Sequence, residues 1–149
     1  EILAPVSGEL VHLEKTNDPA FSSRAVGDGV AVIPQEGTVC APVSGTVAAL
    51  FPTEHALGIM SDDSSAQVML HIGIDTVKLE GKGFHALVAQ GDHVDAGQPL
   101  VEVDFDAVRA AGFDPTVFVI VCERSENSTL REHASGPVAV KEPVVWLSE

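Results

Sequence analysis

The chain has 149 residues, of which 45% are hydrophobic and 20% charged; this balance excludes a disordered chain and predicts one domain over residues 1–149 with a substantial core. Its formal net charge of −14 at pH 7 excludes nucleic acid and anionic membrane surfaces as partners and favours basic proteins. No apolar run approaches the roughly 20 residues of a membrane span and no leader pattern is present, so a cytoplasmic location is expected. The cysteines, Cys40 and Cys122, lie in apolar strand-like contexts and are expected to be buried free thiols.

The first predicted unit is a strand, a turn and a strand, and its turn sequence occurs twice. Ala-Pro-Val-Ser-Gly at 4–8 reappears at 41–45, each time followed by an alternating apolar strand. Repetition of this kind predicts a duplicated β unit. Between the two copies, residues 29–33 are predicted to form a short strand that Pro34 ends.

The rest of the chain is predicted to consist of short strands, with one helix at 104–111 that Asp104 or Asp106 caps and Gly112 stops. Residues 123–135 are polar and are predicted to be turn-like or weakly helical. About a dozen short strands with turns every 8–12 residues predict an all-β chain, an antiparallel β-sandwich or barrel-sandwich hybrid with internal duplication and only short helices.

A histidine on the solvent side of one strand is the first candidate for chemistry. The segment from Ala66 alternates, so that His71 faces away from the apolar residues of the same strand. Those predicted core residues are Val68, Leu70, Ile72 and Ile74. Gly73 leaves the backbone open to close approach by a ligand, and Asp75 ends the strand within reach of an imidazole. Strand alternation alone leaves both a surface histidine and a reactive one open.

A second histidine is predicted to lie beside the first. His55 and His71 each stand eight residues from Asp63, the middle of a polar hairpin loop, and equal spacing predicts cross-strand neighbours. Two adjacent imidazoles can hold a phosphoryl group, with one as nucleophile and the other as hydrogen-bond donor. They can also form an acid–base couple or bind zinc.

Two other families share parts of these patterns. The His-x-Gly-x-Asp spacing of His71 and Asp75 resembles zinc peptidases of the lysostaphin type, but the H-x-H motif that supplies their third ligand is missing. The repeat and the glycine-spaced segment 91–100 resemble biotinyl and lipoyl domains, although Lys78 and Lys82 lack the hairpin-tip setting of a modified lysine. We therefore expect no cofactor and keep a zinc hydrolase as the enzyme alternative.

Taken together, the motifs closely resemble the enzyme IIA domain of the glucose-type sugar phosphotransferase system (the glucose/N-acetylglucosamine family). The resemblance covers nearly the whole chain and is most specific in the His71 block. The matching stretches are residues 4–11, 26–34, 41–47, 53–56, 70–84, 91–103 and 137–146.

The resemblance implies a phosphocarrier. His71 matches the histidine that accepts a phosphoryl group from the histidine phosphocarrier protein HPr and passes it to a cysteine of enzyme IIB. His55 matches the second histidine, which steadies the phosphoryl oxygens. Thr53 matches the threonine that orients this second imidazole, and Asp75 matches the nearby acidic residue.

A second interpretation from another class stays open beside the carrier. An enzyme IIA-like domain that regulates sugar permeases or kinases through His71 phosphorylation would keep the same residues. The sequence also leaves open whether the chain stands alone or is a domain of a fused permease, in which case it would meet the membrane only through the permease complex.

An apolar rim with acidic surroundings is expected to dock basic partners. The expected rim consists of Val30, Val32, Met69, Ile72, Asp28 and Asp75.

Overall fold

The computed structural model describes residues 1–148, which contain fourteen β-strands, two α-helices and two short 3-10 helices. The strands are β1 (Ile2–Leu3), β2 (Gly8–His12), β3 (Asp28–Pro34), β4 (Thr38–Cys40), β5 (Gly45–Leu50), β6 (Ala56–Ser61), β7 (Ala66–Ile72), β8 (Phe84–Ala86), β9 (His93–Val94), β10 (Pro99–Val103), β11 (Val117–Arg124), β12 (Thr129–Glu132), β13 (Gly136–Val138) and β14 (Pro143–Ser148). The helices are α1 (Pro19–Ser22) and α2 (Phe105–Ala110), and the 3-10 helices span Leu13–Lys15 and Thr76–Leu79. None of the helices within residues 1–148 is long and apolar enough to cross a membrane.

The strands form one large sheet and two small ones. The large sheet has the order β13-β2-β3-β11-β7-β6-β5-β9, and the small sheets have the orders β1-β14-β12 and β4-β10-β8. Every strand pair is antiparallel. The predicted all-β antiparallel class with short helices is therefore confirmed.

The order of the sheets also confirms the predicted duplication. The large sheet divides into two halves of matching connectivity, β13-β2-β3-β11 and β9-β5-β6-β7, and the small sheets match strand for strand. Corresponding turns carry corresponding bonds: Gly97 donates its N–H to the Ala41 carbonyl at 2.8 Å, and Lys141 donates to the Ala4 carbonyl at 3.0 Å. The repeated motif thus marks the start of two structurally equivalent units.

One position of this duplication carries backbone strain. Gly97 has φ +87°, whereas its counterpart Lys141 has φ +73°, in the left-handed region that costs a residue with a Cβ about 1–2 kcal/mol. We expect Lys141→Gly to raise the free energy of unfolding by about 0.5–1 kcal/mol, part of the relief being offset by greater freedom of the unfolded chain. Urea unfolding measures this, with Lys141→Ala as the control that keeps the Cβ. A Lys141→Gly protein no more stable than the Lys141→Ala protein would contradict the backbone strain assigned to position 141.

Apolar side chains fill two clusters on opposite faces of the large sheet. The main core lies between the sheets and takes up the inward residues of β7 and β3. A second, smaller cluster packs on the other face of β3 and β11, and consists of Leu13, Phe21, Ala31, Phe118 and Ile120. Because β7 alternates, His71 lies on the face of this second cluster.

The structure corrects three details of the predicted organisation. Residues 129–132 form strand β12, since pairing with β14 overrides the weak local preference of this polar segment. The expected rim residues Val30, Val32 and Ile72 are fully buried in the main core. Ile74 is not on the main-core face, because β7 ends at Ile72, and it packs against the second cluster.

The structure confirms the predicted helix and its cap, and it confirms the predicted burial of one of the two cysteines. Helix α2 is capped by Asp104, whose carboxylate accepts from the Ala107 N–H at 3.0 Å, and it stops before Gly112 at φ +89°. Both cysteines are free thiols; Cys40 is buried as predicted, and Cys122 is only partly buried.

Candidate active site

The imidazole of His71 is fixed by its own strand end. Its Nδ1 lies 2.8 Å from the carbonyl oxygen of Gly73. A carbonyl only accepts, so this bond places the ring proton on Nδ1 and leaves the lone pair on Nε2. Of the hydrogen bonds among residues 1–148, none engages Nε2. His71 therefore presents an oriented, unprotonated nitrogen.

Gly73 allows its carbonyl to turn back onto the ring. Its φ is +80°, and a Cβ there would collide with Cγ2 of Thr76. The Thr76 hydroxyl is buried and donates to the Ile72 carbonyl, which closes the turn. The Gly73 N–H in turn donates to the carbonyl oxygen of Thr116, just before β11, at 2.8 Å. Only glycine fits this position without strain, and the turn is tied on both sides.

The imidazole of His55 is held by the turn before β6. Glu54 has φ +63° and donates its N–H to the Phe51 carbonyl at 2.8 Å, which closes the turn. The Thr53 hydroxyl lies 2.5 Å from Nδ1 of His55. When the hydroxyl donates this bond, the ring proton of His55 sits on Nε2, where it can be donated to a ligand.

The structure brings the two histidines together, but not in the predicted register. The hairpin pairs Ala56 with His71, so the predicted pairing of His55 with His71 is wrong by one residue. The His55 carbonyl instead accepts from the Ile72 N–H at 2.7 Å. Because His55 lies in the turn before β6, its ring reaches the His71 side, with ring centroids 5.2 Å apart and an interplanar angle of 82°.

Three aromatic rings line the histidines, and none of them was predicted as a site residue. Phe21 lies 5.2 Å from the His71 ring and Phe118 lies 6.2 Å from it, while Phe51 meets the His55 ring edge-on at 5.4 Å. Phe118 stands opposite His71 in the β7–β11 pairing, a contact between strands far apart in the chain that no local pattern indicates. Phe51 is close to His55 in sequence and stands just ahead of the Thr53 turn, so its position could have suggested a role.

Burial makes both histidines poor bases. It lowers the pKa of His55, which is only 3% exposed, and the neighbouring His71 lowers that pKa further. Burial also lowers the pKa of His71, while the Gly73 carbonyl and the carboxylates of Asp18 and Asp75 oppose the shift. At neutral pH both rings are therefore uncharged, and a neutral imidazole is the nucleophilic form.

The carboxylates lie at the edge of the site and do not bond the imidazole. Asp75 is exposed, has φ +60° and begins the second 3-10 helix; it acts on His71 through its charge, since Nδ1 is taken by Gly73. Asp18 caps α1 by accepting from the Ala20 N–H at 3.0 Å, and its charge acts on the same ring by raising the pKa of His71. No sequence pattern marks Asp18 as a site residue, because it is distant in the chain from both histidines.

The site does not contain a full set of zinc ligands. In the part of the chain that the structure describes, no three His, Cys, Asp or Glu side chains meet in a geometry that could hold a metal ion. A zinc ion at His55 and His71 would therefore need its third ligand from outside residues 1–148. The zinc hydrolase alternative gains no support from this geometry.

The lowered pKa values predict how stability depends on pH. Protonation of either ring favours the unfolded chain, so their contribution is complete above the ordinary histidine pKa of 6.5 and is lost as pH falls below it. Each pKa unit of lowering is worth about 1.4 kcal/mol. Between about pH 7 and pH 5, the wild type should lose more unfolding free energy than a His55→Gln/His71→Gln variant.

Urea unfolding of the two proteins across this pH range measures the difference. The bond to Asp62 raises the pKa of His93, so His93 makes stability depend on pH with the opposite sign. Both proteins keep His93, and its contribution therefore cancels when they are compared. Parallel curves of unfolding free energy against pH for the two proteins would contradict the lowered pKa values of the two imidazoles.

Comparison with known proteins adds an independent line of evidence. A family model described as phosphoenolpyruvate-dependent sugar phosphotransferase system, EIIA 1, matches residues 1–127. The chain is 42% identical over 144 residues to a glucose-specific EIICBA component of Streptococcus pneumoniae, covering 97% of the chain and 20% of that protein. It is 42% identical over 147 residues to a β-glucoside-specific EIIBCA component of Bacillus subtilis, covering 99% of the chain and 24% of that protein.

A solved structure agrees with these relatives. The fold matches glucose permease IIA from Mycoplasma capricolum with a TM-score of 0.88 and 35% identity, over 97% of this chain and 92% of that one. The chain spans only about a fifth to a quarter of the length of the relatives named above.

Proposed function

This chain belongs to the EIIA 1 family of the phosphoenolpyruvate-dependent sugar phosphotransferase system, and on that premise we propose that it is a phosphocarrier whose His71 accepts a phosphoryl group from HPr and passes it to a cysteine of enzyme IIB. The observation that carries the proposal is the bond from Nδ1 of His71 to the Gly73 carbonyl. It leaves a lone pair on Nε2, beside the imidazole of His55.

The transfer needs few groups. Nε2 of His71 attacks the phosphorus of the HPr phosphohistidine, an N–P bond forms on His71, and the N–P bond to HPr breaks. A cysteine thiolate of enzyme IIB then attacks the same phosphorus and His71 leaves as a neutral imidazole. Phosphoryl transfer of this kind depends on positioning and charge stabilisation more than on covalent assistance.

His55 stabilises the charge of the phosphoryl group. With Thr53 donating to Nδ1, Nε2–H of His55 is available as a donor to a phosphoryl oxygen on His71. Because His55 is buried and its turn is closed by backbone bonds, this donor is in place before the phosphoryl group arrives. Thr53 acts through His55 as a positioning residue.

The acidic edge suits a basic partner. Asp18 and Asp75 act on His71 and belong to a chain of net charge −14. Charge complementarity of this kind speeds the encounter with a basic protein more than it tightens the complex. We assign Asp75 this electrostatic role at the rim.

Phosphorylation assays test the proposal. We expect the chain, incubated with phosphoenolpyruvate, enzyme I and HPr, to gain one acid-labile phosphoryl group by intact mass, and to lose it when enzyme IIB is added. No gain with active partners would overturn the carrier function.

A regulatory role is the second candidate, and the same histidines support it. A domain that only controls permeases or kinases would accept the phosphoryl group from HPr and keep it when enzyme IIB is added. The relatives named for glucose, β-glucoside and N-acetylglucosamine are similarly identical to this chain, and we infer that the sugar is set by another part of those longer proteins.

A further inference from the structure

The helix that covers His71 has little support of its own. Helix α1 has four residues, and so short a helix is unstable without tertiary contacts. Its one buried side chain, Phe21, packs 4.5 Å from Phe118 and 5.2 Å from the His71 ring, measured between centroids. The position of this short helix therefore decides what lies against the reactive imidazole.

The segment after α1 ends in a dense ionic cluster. Arg24, at φ +62°, donates its N–H to the Phe21 carbonyl at 2.9 Å. Its guanidinium bonds Glu132 through both nitrogens, at 3.0 and 3.2 Å. It also bonds Asp28 at 3.0 Å and Glu14 at 3.0 Å. We call these four residues the Arg24 cluster.

The cluster ties α1 to three other elements. Glu14 belongs to the first 3-10 helix, Asp28 begins β3 and Glu132 ends β12. The side chains of Arg24 and Glu132 are only 29% and 19% exposed, so their forked ion pair is screened less than a surface pair. The carboxylates raise the pKa of Arg24 further above its usual range, and the charge is permanent.

We propose that Arg24 is a positioning residue for the phosphoryl-accepting histidine: its fork holds α1 in place so that the Phe21 ring stays packed against His71. The proposal rests on the proposed function only for the meaning of the His71 site; the mechanical link stands on the contacts alone. When Arg24 is removed, three carboxylates remain close together and repel one another, namely those of Glu14, Asp28 and Glu132. Arg124, 3.7 Å from Asp28, offsets this repulsion only in part.

A titration of His71 followed by NMR tests the link. Burial is the main cause of the lowered His71 pKa, with His55, Asp18 and Asp75 as the titratable groups that act on or face the ring. Loss of the Phe21 cover should therefore move the His71 midpoint upward. We expect this shift in Arg24→Gln and in Phe21→Ala, and we expect Arg124→Gln, which removes a cation from the same acidic neighbourhood, to leave the midpoint near that of the wild type.

A double variant separates positioning from charge. If Arg24 acts through Phe21, the Arg24→Gln/Phe21→Ala protein should titrate like Phe21→Ala alone. If the shifts of the His71 midpoint in the two single variants instead add up in the double variant, Arg24 acts by its charge across space, and the proposal is overturned. An unchanged His71 midpoint in a folded Arg24→Gln protein would overturn it as well.

Two further measurements complete the test. Should Arg24→Gln fail to fold, Glu132→Gln replaces it, and it should move the midpoint in the same direction by a smaller amount; no movement would count against the proposal. Phosphoryl acceptance from HPr should fall about tenfold in Arg24→Gln, since the His71 ring loses the Phe21 ring that packs against it and imperfect alignment of a reacting group is costly. An unchanged rate in a folded Arg24→Gln protein would count against a positioning role. If the wild type accepts no phosphoryl group, the proposed function fails while the titration still decides the role of Arg24.

Discussion

His71→Gln should accept no measurable phosphoryl group from HPr, a loss on the order of 10⁶ in rate, as expected when the nucleophile itself is removed. The glutamine side chain retains an N–H donor for the Gly73 carbonyl that His71 bonds at 2.8 Å, so the fold should persist. What it lacks is a nucleophilic nitrogen, because an amide does not carry the available lone pair of Nε2.

Intact mass after incubation with the donor system measures this loss. His85→Gln is the matched control, since His85 is an exposed histidine on β8, and that variant should gain the same single phosphoryl group as the wild type. Phosphorylation of the His71→Gln protein at any residue would show that the acceptor has been misassigned.

His55→Gln should still accept the phosphoryl group but pass it to enzyme IIB about 10²–10³-fold more slowly, the usual cost of losing one preorganised donor to a charged transition state. The glutamine amide still carries N–H groups, but it lacks the ring that Thr53 holds in one orientation. In acceptance the attacking Nε2 of His71 belongs to an uncharged ring. Onward transfer brings a cysteine thiolate against an already charged phosphoryl group, so the donor on His55 counts most in this step.

Single-turnover rates for the two half-reactions separate these effects. Thr53→Val should reproduce part of the His55→Gln defect, because the hydroxyl 2.5 Å from Nδ1 of His55 is lost, while Thr53→Ser should behave like the wild type. Equal slowing of both half-reactions in His55→Gln would argue against a donor that acts mainly in onward transfer.

How much of this site could be read from the sequence depended on how local each contact is. Alternation along β7 was enough to place His71 away from the main core, and counting from the hairpin loop brought His55 near it. The same count missed the register by one residue, because the turn does not centre on Asp63 and His55 lies before the strand.

The remaining site residues come from pairings that no local pattern encodes. Phe118 reaches His71 through the β7–β11 pairing, and Phe21 reaches it only because α1 folds over the sheet. Arg24 meets Glu132 across 108 residues of chain. Such contacts depend on the assembled sheet, and they surround the histidines that the sequence motifs marked.

The measurement closest to the central claim is the identity of the phosphorylated nitrogen, read from ¹⁵N NMR of the histidine rings after phosphorylation by HPr. Because Nδ1 of His71 is held by the Gly73 carbonyl, the phosphoryl group should sit on Nε2 of His71, with His55 unmodified. A phosphoryl group on Nδ1 of His71, on His55 or on any other residue would contradict this account of the site.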